Sequence, residues 1–323
     1  MAYFLISLAN RGNLDLCIDY AMAGFTNSIN GAWTFVEIDE GDYISFLYGA
    51  RAHNLYQVEK KIALKDAHKL PPWPSVTFRM SGHTYYFPYR LLLKPVRELS
   101  EPLVRAEFAY VAENLLLRGG YRRTHFQADQ TTLQSVSQMG TLWNRNHCDF
   151  DFGKYDRFEP AFTKNRSLLQ NPEVLLFQEV ILQSGIRHHL SDGENLQNLL
   201  RLFGIELPSG NFEVLGEKAL PEGHVDILVK ESIPIGQSRK ILIEIKTGSC
   251  QKKDIDQIAS YVNEVGDECV GGILIASKFP KRSLQYAKEN SIFLAVYDVS
   301  VDLNGICTFQ QILESLRLIP AVQ

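Results

Sequence analysis

The sequence has little net charge, few cysteines and no long apolar run. Lysine and arginine number 33 against 37 aspartate and glutamate residues, and this balance argues against a large non-specific surface for nucleic acid. The five cysteines show no paired spacing, which argues against a disulfide scaffold and predicts a reducing cytoplasm. The apolar run within residues 1–12 is too short to span a membrane and lacks the basic start of a signal peptide, so no membrane partner is expected.

The length of 323 residues is large for a single core and suits two domains. Changes of pattern along the chain predict a β-rich domain over residues 1–97, a helical and irregular connector over 98–170, and a second domain over 171–323. The predicted fold class is α+β. A small β-barrel with helices comes first, followed by an α/β domain whose mixed sheet is flanked by helices.

Two aliphatic segments, residues 223–229 and 240–246, have the pattern of neighbouring β-strands joined by a polar loop. Alternation along the second strand places its isoleucines on one face and Glu244 and Lys246 on the other. The aliphatic neighbours of these charges indicate a central strand, which favours a functional site over an ion pair at a sheet edge. Buried charges need a partner or a metal ion, and Asp226 on the preceding strand is the expected companion.

An aspartate followed by Glu-x-Lys, here Asp226, Glu244 and Lys246, resembles the PD-(D/E)XK nuclease superfamily. The resemblance implies that Asp226, Glu244 and the backbone carbonyl of Ile245 hold Mg2+, for which Mn2+ would substitute. It further implies that the ion activates a water molecule, while Lys246 positions that water or offsets negative charge in the transition state.

The resemblance extends over residues 171–299. The pattern there predicts a helix from Asn171 to about His189, a second helix from Ser191, three strands, a helix over 252–265, an apolar strand, a helix over 281–290 and an edge strand at 292–296. Gln257 with Tyr261 matches a Gln-x-x-x-Tyr feature of a subset that resembles RecB-type and archaeal single-strand and mismatch nucleases. An acidic residue on the first core helix often joins the metal site in this family, which assigns Glu194. A Ser-x-x-Glu capping box is the alternative reason for that glutamate.

The first third of the chain has short β-like segments and a helical pattern over residues 13–25. Residues 3–6, 31–33, 41–46 and 86–91 resemble the PUA-like superfamily, and within it the EVE and YTH-like domains. In that superfamily an aromatic cleft takes in a modified base. The resemblance assigns Trp33 to the cage and Asn30 and Ser28 to the base edge; further cage candidates are Phe46, Tyr48, Trp73 and Tyr85. Each aromatic residue also fits the core of a small barrel, and that alternative stays open.

Basic residues outside these patterns are candidate phosphate contacts. Arg118, Arg122 and Arg123 surround a Gly-Gly turn after a helix predicted over 101–117, and such a cluster would hold phosphate groups. Lys252 and Lys253 follow the Glu-x-Lys strand. A solvated surface is the alternative for all five residues, and surface charges of this kind are common.

The two resemblances together imply a modification-dependent DNA endonuclease that reads a flipped, modified base in double-stranded DNA and cuts the duplex with Mg2+. Cutting both strands takes two active sites, so a homodimer or a DNA-bridged pair is expected. One alternative is a repair or sequence-specific nuclease that acts on unmodified DNA. Another is a nucleic-acid-binding protein without catalysis, and RNA is an alternative ligand for the first domain.

Overall fold

The computed structural model describes residues 1–49, 51–67, 70–99, 124–153, 155–206, 211–220, 223–232 and 236–321. The chain divides into two compact units, Met1–Pro160 and Ala161–Gln323, so residues 161–170 of the expected connector belong to the second unit. Helices and mixed sheets occur in both units, which confirms the α+β class. None of the helices in the described ranges is long and apolar enough to cross a membrane.

The first unit contains a mixed sheet with helices beside it. Its strands are β1 (Tyr3–Ser7), β2 (Met22–Phe25), β3 (Tyr43–Tyr48), β4 (Arg51–Ala63), β5 (Val76–Thr77), β6 (Thr84–Tyr85), β7 (Tyr89–Glu98), β8 (His125–Ala128) and β9 (Thr141–Leu142). Its helices are α1 (Arg11–Asp19), α2 (Ile29–Glu37) and α3 (Gln130–Ser137). The main sheet has the order β2-β7-β4-β3-β1-β8, with β9 on β7, and β5 and β6 form a separate hairpin.

The main sheet is open among the described residues, so the prediction of a closed small barrel is wrong. The edge strands β2 and β8 are short and do not pair with each other. Helix α2 lies between them instead. The ring of its Phe35 packs against that of Tyr89 on β7, the strand next to β2. The Thr34 hydroxyl oxygen lies 2.8 Å from Nδ1 of His125 on β8. Alternation predicts strands, but it does not say which of them meet.

The helix predicted over 13–25 is too long and begins too late. Asn10 caps α1 by accepting the N–H of Asn13, and the helix ends at Asp19. Ala21 then adopts a positive φ of 43°, and residues 22–25 pair with β7 as β2. The pairing of Met22 with Leu92 overrides the local helical pattern, because a strand edge satisfies the backbone groups of this segment. Ser28 is the N-cap of α2.

The second unit is organised around a six-stranded sheet. Its strands are β10 (Ala161–Thr163), β11 (Val174–Leu176), β12 (Phe212–Leu220), β13 (Gly223–Glu231), β14 (Lys240–Ser249), β15 (Cys269–Lys278), β16 (Ile292–Val299), β17 (Cys307–Thr308) and β18 (Leu316–Pro320). Its α-helices are α4 (Glu179–Ser191), α5 (Gly193–Leu202), α6 (Lys252–Val265), α7 (Lys281–Glu289) and α8 (Phe309–Ser315). Short 3-10 turns cover residues 166–168 and 266–268.

The large sheet has the order β12-β13-β14-β15-β16-β18, and β14, β15 and β16 run parallel. The bounds of α6 agree with the helix predicted over 252–265. On one face, Ile255 and Ile258 of α6 pack on Leu242 and Leu274. This packing buries the strands on which Asp226, Glu244 and Lys246 lie.

One helix boundary and the position of one strand in the sheet differ from the prediction. The helix expected from Asn171 begins at Glu179, because residues 174–176 form β11 and pair with β10. The strand at 292–299 is not an edge, since β18 pairs with it on its outer side. Both differences come from pairing partners distant in sequence, which local periodicity does not reveal.

Candidate active site

The candidate site lies where strands β13 and β14 separate. Their antiparallel ladder ends with the pair Ile227 and Ile243. The next backbone N–H of β14 on that side belongs to Ile245, and the side chain of Asp226 accepts it at 2.7 Å through Oδ2. A carboxylate therefore replaces a backbone partner at this point, which satisfies the N–H and fixes the side chain at the opening between the strands.

Asp226 is held from its other side by Gln183 of α4. The Gln183 side-chain amide donates to Asp226 Oδ1 at 3.0 Å and to the Asp226 carbonyl oxygen at 3.1 Å. Gln183 is buried, so these hydrogen bonds form away from solvent. With the bond from Ile245, both carboxylate oxygens of Asp226 accept a donor.

Glu244 and Lys246 lie side by side on β14, as the alternation of the strand predicts. Lys246 Nζ donates to Glu244 Oε1 at 2.7 Å. Glu244 is 2% exposed, and within the described part of the chain its Oε2 is buried without a hydrogen-bond partner. A buried carboxylate oxygen without a donor is costly, and it marks a position where a further cation or donor would bind favourably.

Glu179, at the start of α4, is a third acidic side chain at this site. Its Oε1 is 3.9 Å from Lys246 Nζ, and its Oε2 accepts the backbone N–H of Thr247 at 3.2 Å. The Thr247 carbonyl oxygen in turn accepts the hydroxyl of Tyr297 at 2.7 Å. Both backbone polar groups of Thr247, the residue after Lys246, are thus held by side chains.

Burial and the charges of neighbouring groups both shift the pKa values at the site. Burial, and after it the charge of Glu244, raises the pKa of Asp226 well above its ordinary value. Burial also raises the pKa of Glu244, although the ammonium group of Lys246 opposes this shift. Burial alone would lower the pKa of Lys246, but the charges of Glu244 and Asp226 outweigh it and raise that pKa. Three carboxyl groups share one ammonium group, so an additional cation would stabilise their ionised forms.

The side chains fit a hard divalent cation. The available donors are carboxylate oxygens, which Mg2+ prefers, and Glu244 Oε2 has no other partner among the described residues. No three His, Cys, Asp or Glu side chains in the described ranges are grouped closely enough to hold an ion by themselves. Mg2+ commonly binds through one or two carboxylates and keeps several water molecules, so Asp226 and Glu244 are a sufficient pair.

The other residues predicted for this site lie in different surroundings. Glu194 is exposed in the first turn of α5, where Asp192, rather than the predicted Ser191, is the N-cap. Gln257 donates to the hydroxyl of Tyr261 at 3.1 Å, as the Gln-x-x-x-Tyr pattern would place them. Lys252 and Lys253 are exposed at the start of α6, and Lys252 Nζ lies 4.6 Å from the centre of the Tyr286 ring.

Sequence reasoning missed Glu179 and Gln183. Their spacing of four residues places both on one face of a helix, which is a usable signal for a shared site. The signal was hidden because the helix was expected to begin at Asn171, with Glu173 as its first acidic residue. The structure brings Glu179 to Lys246 and Thr247.

In the first unit, three of the predicted base-binding residues share the first two turns of α2. Trp33 is buried, with its ring 4.5 Å from that of His125 in an edge-to-face arrangement. Within the described ranges, Trp33 Nε1 is buried without a hydrogen-bond partner. Ser28 Oγ accepts the Gly31 N–H at 3.3 Å, and the Asn30 carbonyl oxygen accepts the Thr34 hydroxyl at 2.9 Å.

Two of the other cage candidates are packing residues. Phe46 is fully buried, with its ring 5.2 Å from that of Tyr56. Trp73 is enclosed by Gly24, Phe87 and Arg90, and a Cβ at Gly24 would lie 2.5 Å from its ring. Both rings are buried among protein side chains, which fits the core alternative better than a cage.

Tyr48 and Tyr85 are half-buried. The ring of Tyr48 lies 6.5 Å from that of His53, and the ring of Tyr85 lies 5.4 Å from that of Phe78. Arg118, Arg122 and Arg123, with the helix predicted over 101–117, lie outside the described residues.

Comparison with known proteins gives distant structural neighbours only. No family model and no curated protein matches the chain. The structure of an EndoMS–dsDNA2 complex is 21% identical over 32% of this chain and 43% of that chain, with a TM-score of 0.22. A repair endonuclease from Pyrococcus abyssi is 18% identical over 32% of this chain and 45% of that chain, with a TM-score of 0.23.

The DNA modification-dependent restriction endonuclease AspBHI is 12% identical over 84% of this chain and 62% of that chain, with a TM-score of 0.20. Each match spans less than two thirds of the neighbour, and the matches to the EndoMS complex and to the Pyrococcus abyssi endonuclease span less than half. TM-scores this low do not establish a shared fold. The function of the chain therefore has to be inferred from its own side chains.

Proposed function

We propose that the second unit is a Mg2+-dependent DNA nuclease domain of the PD-(D/E)XK type. The observation that supports this is the arrangement of Asp226, Glu244 and Lys246 where β13 and β14 separate. Lys246 is 2.7 Å from Glu244, and a buried oxygen of Glu244 has no partner in the described part of the chain. Two carboxylates and a lysine so placed suit the hydrolysis of a phosphodiester.

Each residue has a distinct part in the proposed reaction. Asp226 and Glu244 would hold the ion, whose contribution is to lower the pKa of a bound water and to offset charge on the phosphate. Gln183 and the Ile245 N–H orient Asp226. Lys246 would donate a hydrogen bond to the attacking water or to a phosphate oxygen. Glu179 fixes the backbone after Lys246 and attracts its ammonium group.

We further propose that the first unit reads a modified base, so that the whole chain is a modification-dependent endonuclease. Support comes from Trp33, whose buried indole N–H lacks an acceptor within the described residues. Trp33 lies in the first two turns of α2, near Asn30 and the N-cap Ser28. A carbonyl oxygen or ring nitrogen of a base would satisfy this N–H, and leaving it unsatisfied costs about 1–3 kcal/mol. Cutting both strands would need a pair of chains.

The test is digestion of one plasmid prepared with 6-methyladenine, 5-methylcytosine, 5-hydroxymethylcytosine or no modification, in the presence of Mg2+. Cleavage of one modified form, its loss in EDTA and its loss in Lys246→Ala are expected. Equal cutting of all four forms would contradict base reading and favour a nuclease for unmodified DNA. DNA binding without any cleavage would contradict the nuclease.

A further inference from the structure

The hairpin of β5 and β6 is a small projecting element of the first unit. The Phe78 N–H donates to the His83 carbonyl at 2.9 Å, and the Gly82 N–H donates to the Phe78 carbonyl at 2.8 Å. Gly82 has a φ of 66°, the left-handed conformation that closes such a turn. The tip therefore consists of residues 79–82.

The hairpin is fixed in shape although it is short. The hydroxyl groups of Thr77 and Thr84 are 2.8 Å apart across the two strands. The rings of Phe78 and Tyr85 meet edge to face at 5.4 Å. A two-stranded hairpin in water is usually marginal, and these contacts order it before any partner binds.

The hairpin exposes apolar side chains at its tip and along the strand before it. Met80 is fully exposed, and Phe78 and Val76 are each 46% exposed. The neighbouring side chains are Arg79 and His83, both exposed as well. Exposed apolar side chains at alternate positions 76, 78 and 80 of one hairpin indicate an interaction surface, because exposed apolar groups are normally scattered.

The charge around the hairpin favours a polyanion as the partner. Residues 67–97 contain no aspartate or glutamate, in a chain that carries 37 acidic residues and a net charge of −4. In the sequence of residues 1–160 this is the longest stretch without an acidic residue. A negatively charged duplex suits it better than an apolar groove of another protein would.

The base of the hairpin is attached to the segment that precedes α2. The Asn27 N–H donates to the Tyr86 carbonyl at 3.0 Å, and the Tyr86 N–H donates to Asn27 Oδ1 at 3.2 Å. The Asn27 side-chain amide reaches the Thr84 carbonyl at 3.5 Å. Ser28, Asn30 and Trp33 follow directly on α2, so the hairpin is fixed beside the proposed base-reading residues.

We propose that this hairpin is a finger that enters the duplex where the modified base leaves it, with Met80 occupying the vacated space. The inference rests on the proposed base reading. Extruding a base costs unstacking energy, and proteins offset such a cost by inserting apolar side chains, methionine among them, between base steps. Arg79 would contact the adjacent phosphates.

The test compares binding of the full chain in EDTA, so that no cleavage occurs, to two DNA forms with the same modified base. One form is a duplex with 2-aminopurine next to that base, and the other is the single strand. Met80→Ser should weaken duplex binding by about 10-fold, the value expected from losing the burial of one apolar side chain, and should reduce the 2-aminopurine signal. Single-strand binding should not change, because no stack has to be filled.

Controls separate the finger from its alternatives. Met80→Leu should bind the duplex like the wild type, and Leu142→Ser should too, since Leu142 is exposed on β9 outside the hairpin. Equal duplex affinity of Met80→Ser and the wild type is expected for a hairpin that docks on protein or a membrane. This result would overturn the finger but leave the proposed base reading intact. An equal loss on duplex and single strand would do the same. A wild-type chain without preference for the modified duplex would overturn the proposed base reading, and the finger with it.

Discussion

The side-chain amide of Gln183 contacts Asp226 twice, at 3.0 Å on the carboxylate and at 3.1 Å on the backbone carbonyl. The two contacts fix both the rotamer of Asp226 and the strand from which it projects. Gln183 belongs to a helix that packs on the sheet, so the orientation of the proposed metal ligand depends on helix docking.

Replacement of Gln183 should therefore impair the metal site while the fold persists. We expect Gln183→Ala to lower the cleavage rate or the Mg2+ affinity by about 10–100-fold, the usual effect of losing a residue that orients a ligand. Gln178→Ala is the matched control, because Gln178 is exposed and makes no side-chain capping bond on the same helix. Cleavage rates over a Mg2+ titration measure the effect. An unchanged Mg2+ requirement in Gln183→Ala would show that Asp226 does not need this support.

Glu179 and Glu194 are the two candidates for a third acidic residue that supports cleavage, and their variants should behave differently. We expect Glu179→Gln to reduce cleavage by about 10-fold or more, because it weakens the attraction to Lys246 at the site. Glu194→Gln should cleave like the wild type, since Glu194 is exposed on α5. Single-turnover rates of the two variants decide between them. The reverse outcome would restore the assignment made from the sequence.

The raised pKa of Asp226 predicts a pH-dependent loss of stability without metal. The folded protein binds the Asp226 proton more tightly than the unfolded chain, so the free energy of unfolding falls as pH rises from about 4 through the folded pKa. In EDTA, the Tm of Asp226→Asn minus that of the wild type should thus increase by at least about 2 °C as the pH rises from about 5 to about 8, because only the wild type carries this carboxyl group.

Added Mg2+ should raise the Tm of the wild type and leave that of Asp226→Asn nearly unchanged. Asp298→Asn, an exposed aspartate of β16, serves as the control and should follow the wild type throughout. A Tm difference between Asp226→Asn and the wild type that stays constant with pH would mean that Asp226 does not titrate in this range.

Trp33 offers a test of base reading that spares packing. Trp33→Phe keeps an aromatic ring against His125 but removes the indole N–H that has no acceptor in the described part of the chain. We expect the preference for modified over unmodified duplex to fall by about 10-fold, the value of one hydrogen bond to a buried donor. Trp143→Phe is the control, because the N–H of Trp143 already donates to the Arg145 carbonyl at 2.7 Å. Equal preference in Trp33→Phe and the wild type would exclude this N–H from recognition.

The pairing of Glu244 with Lys246 illustrates what local sequence can predict. Side chains two residues apart on a strand share a face whatever the rest of the fold does, and the structure has them 2.7 Å apart. The bounds of α6 and its apolar face on the sheet were predictable for the same reason, because a period of 3.6 residues and the end of the preceding strand are both local features.

The sequence by itself thus determined which residues lie on which face of β13, β14 and α6, since alternation and helical period depend only on the covalent chain. Tertiary structure alone decided that Glu179 and Gln183, rather than Glu194, approach Asp226 and Lys246. It also decided that Trp73 and Phe46 are enclosed and that the first sheet stays open around α2. These outcomes depend on where a helix begins and on which strand edges pair, and the packing of segments distant in sequence sets both.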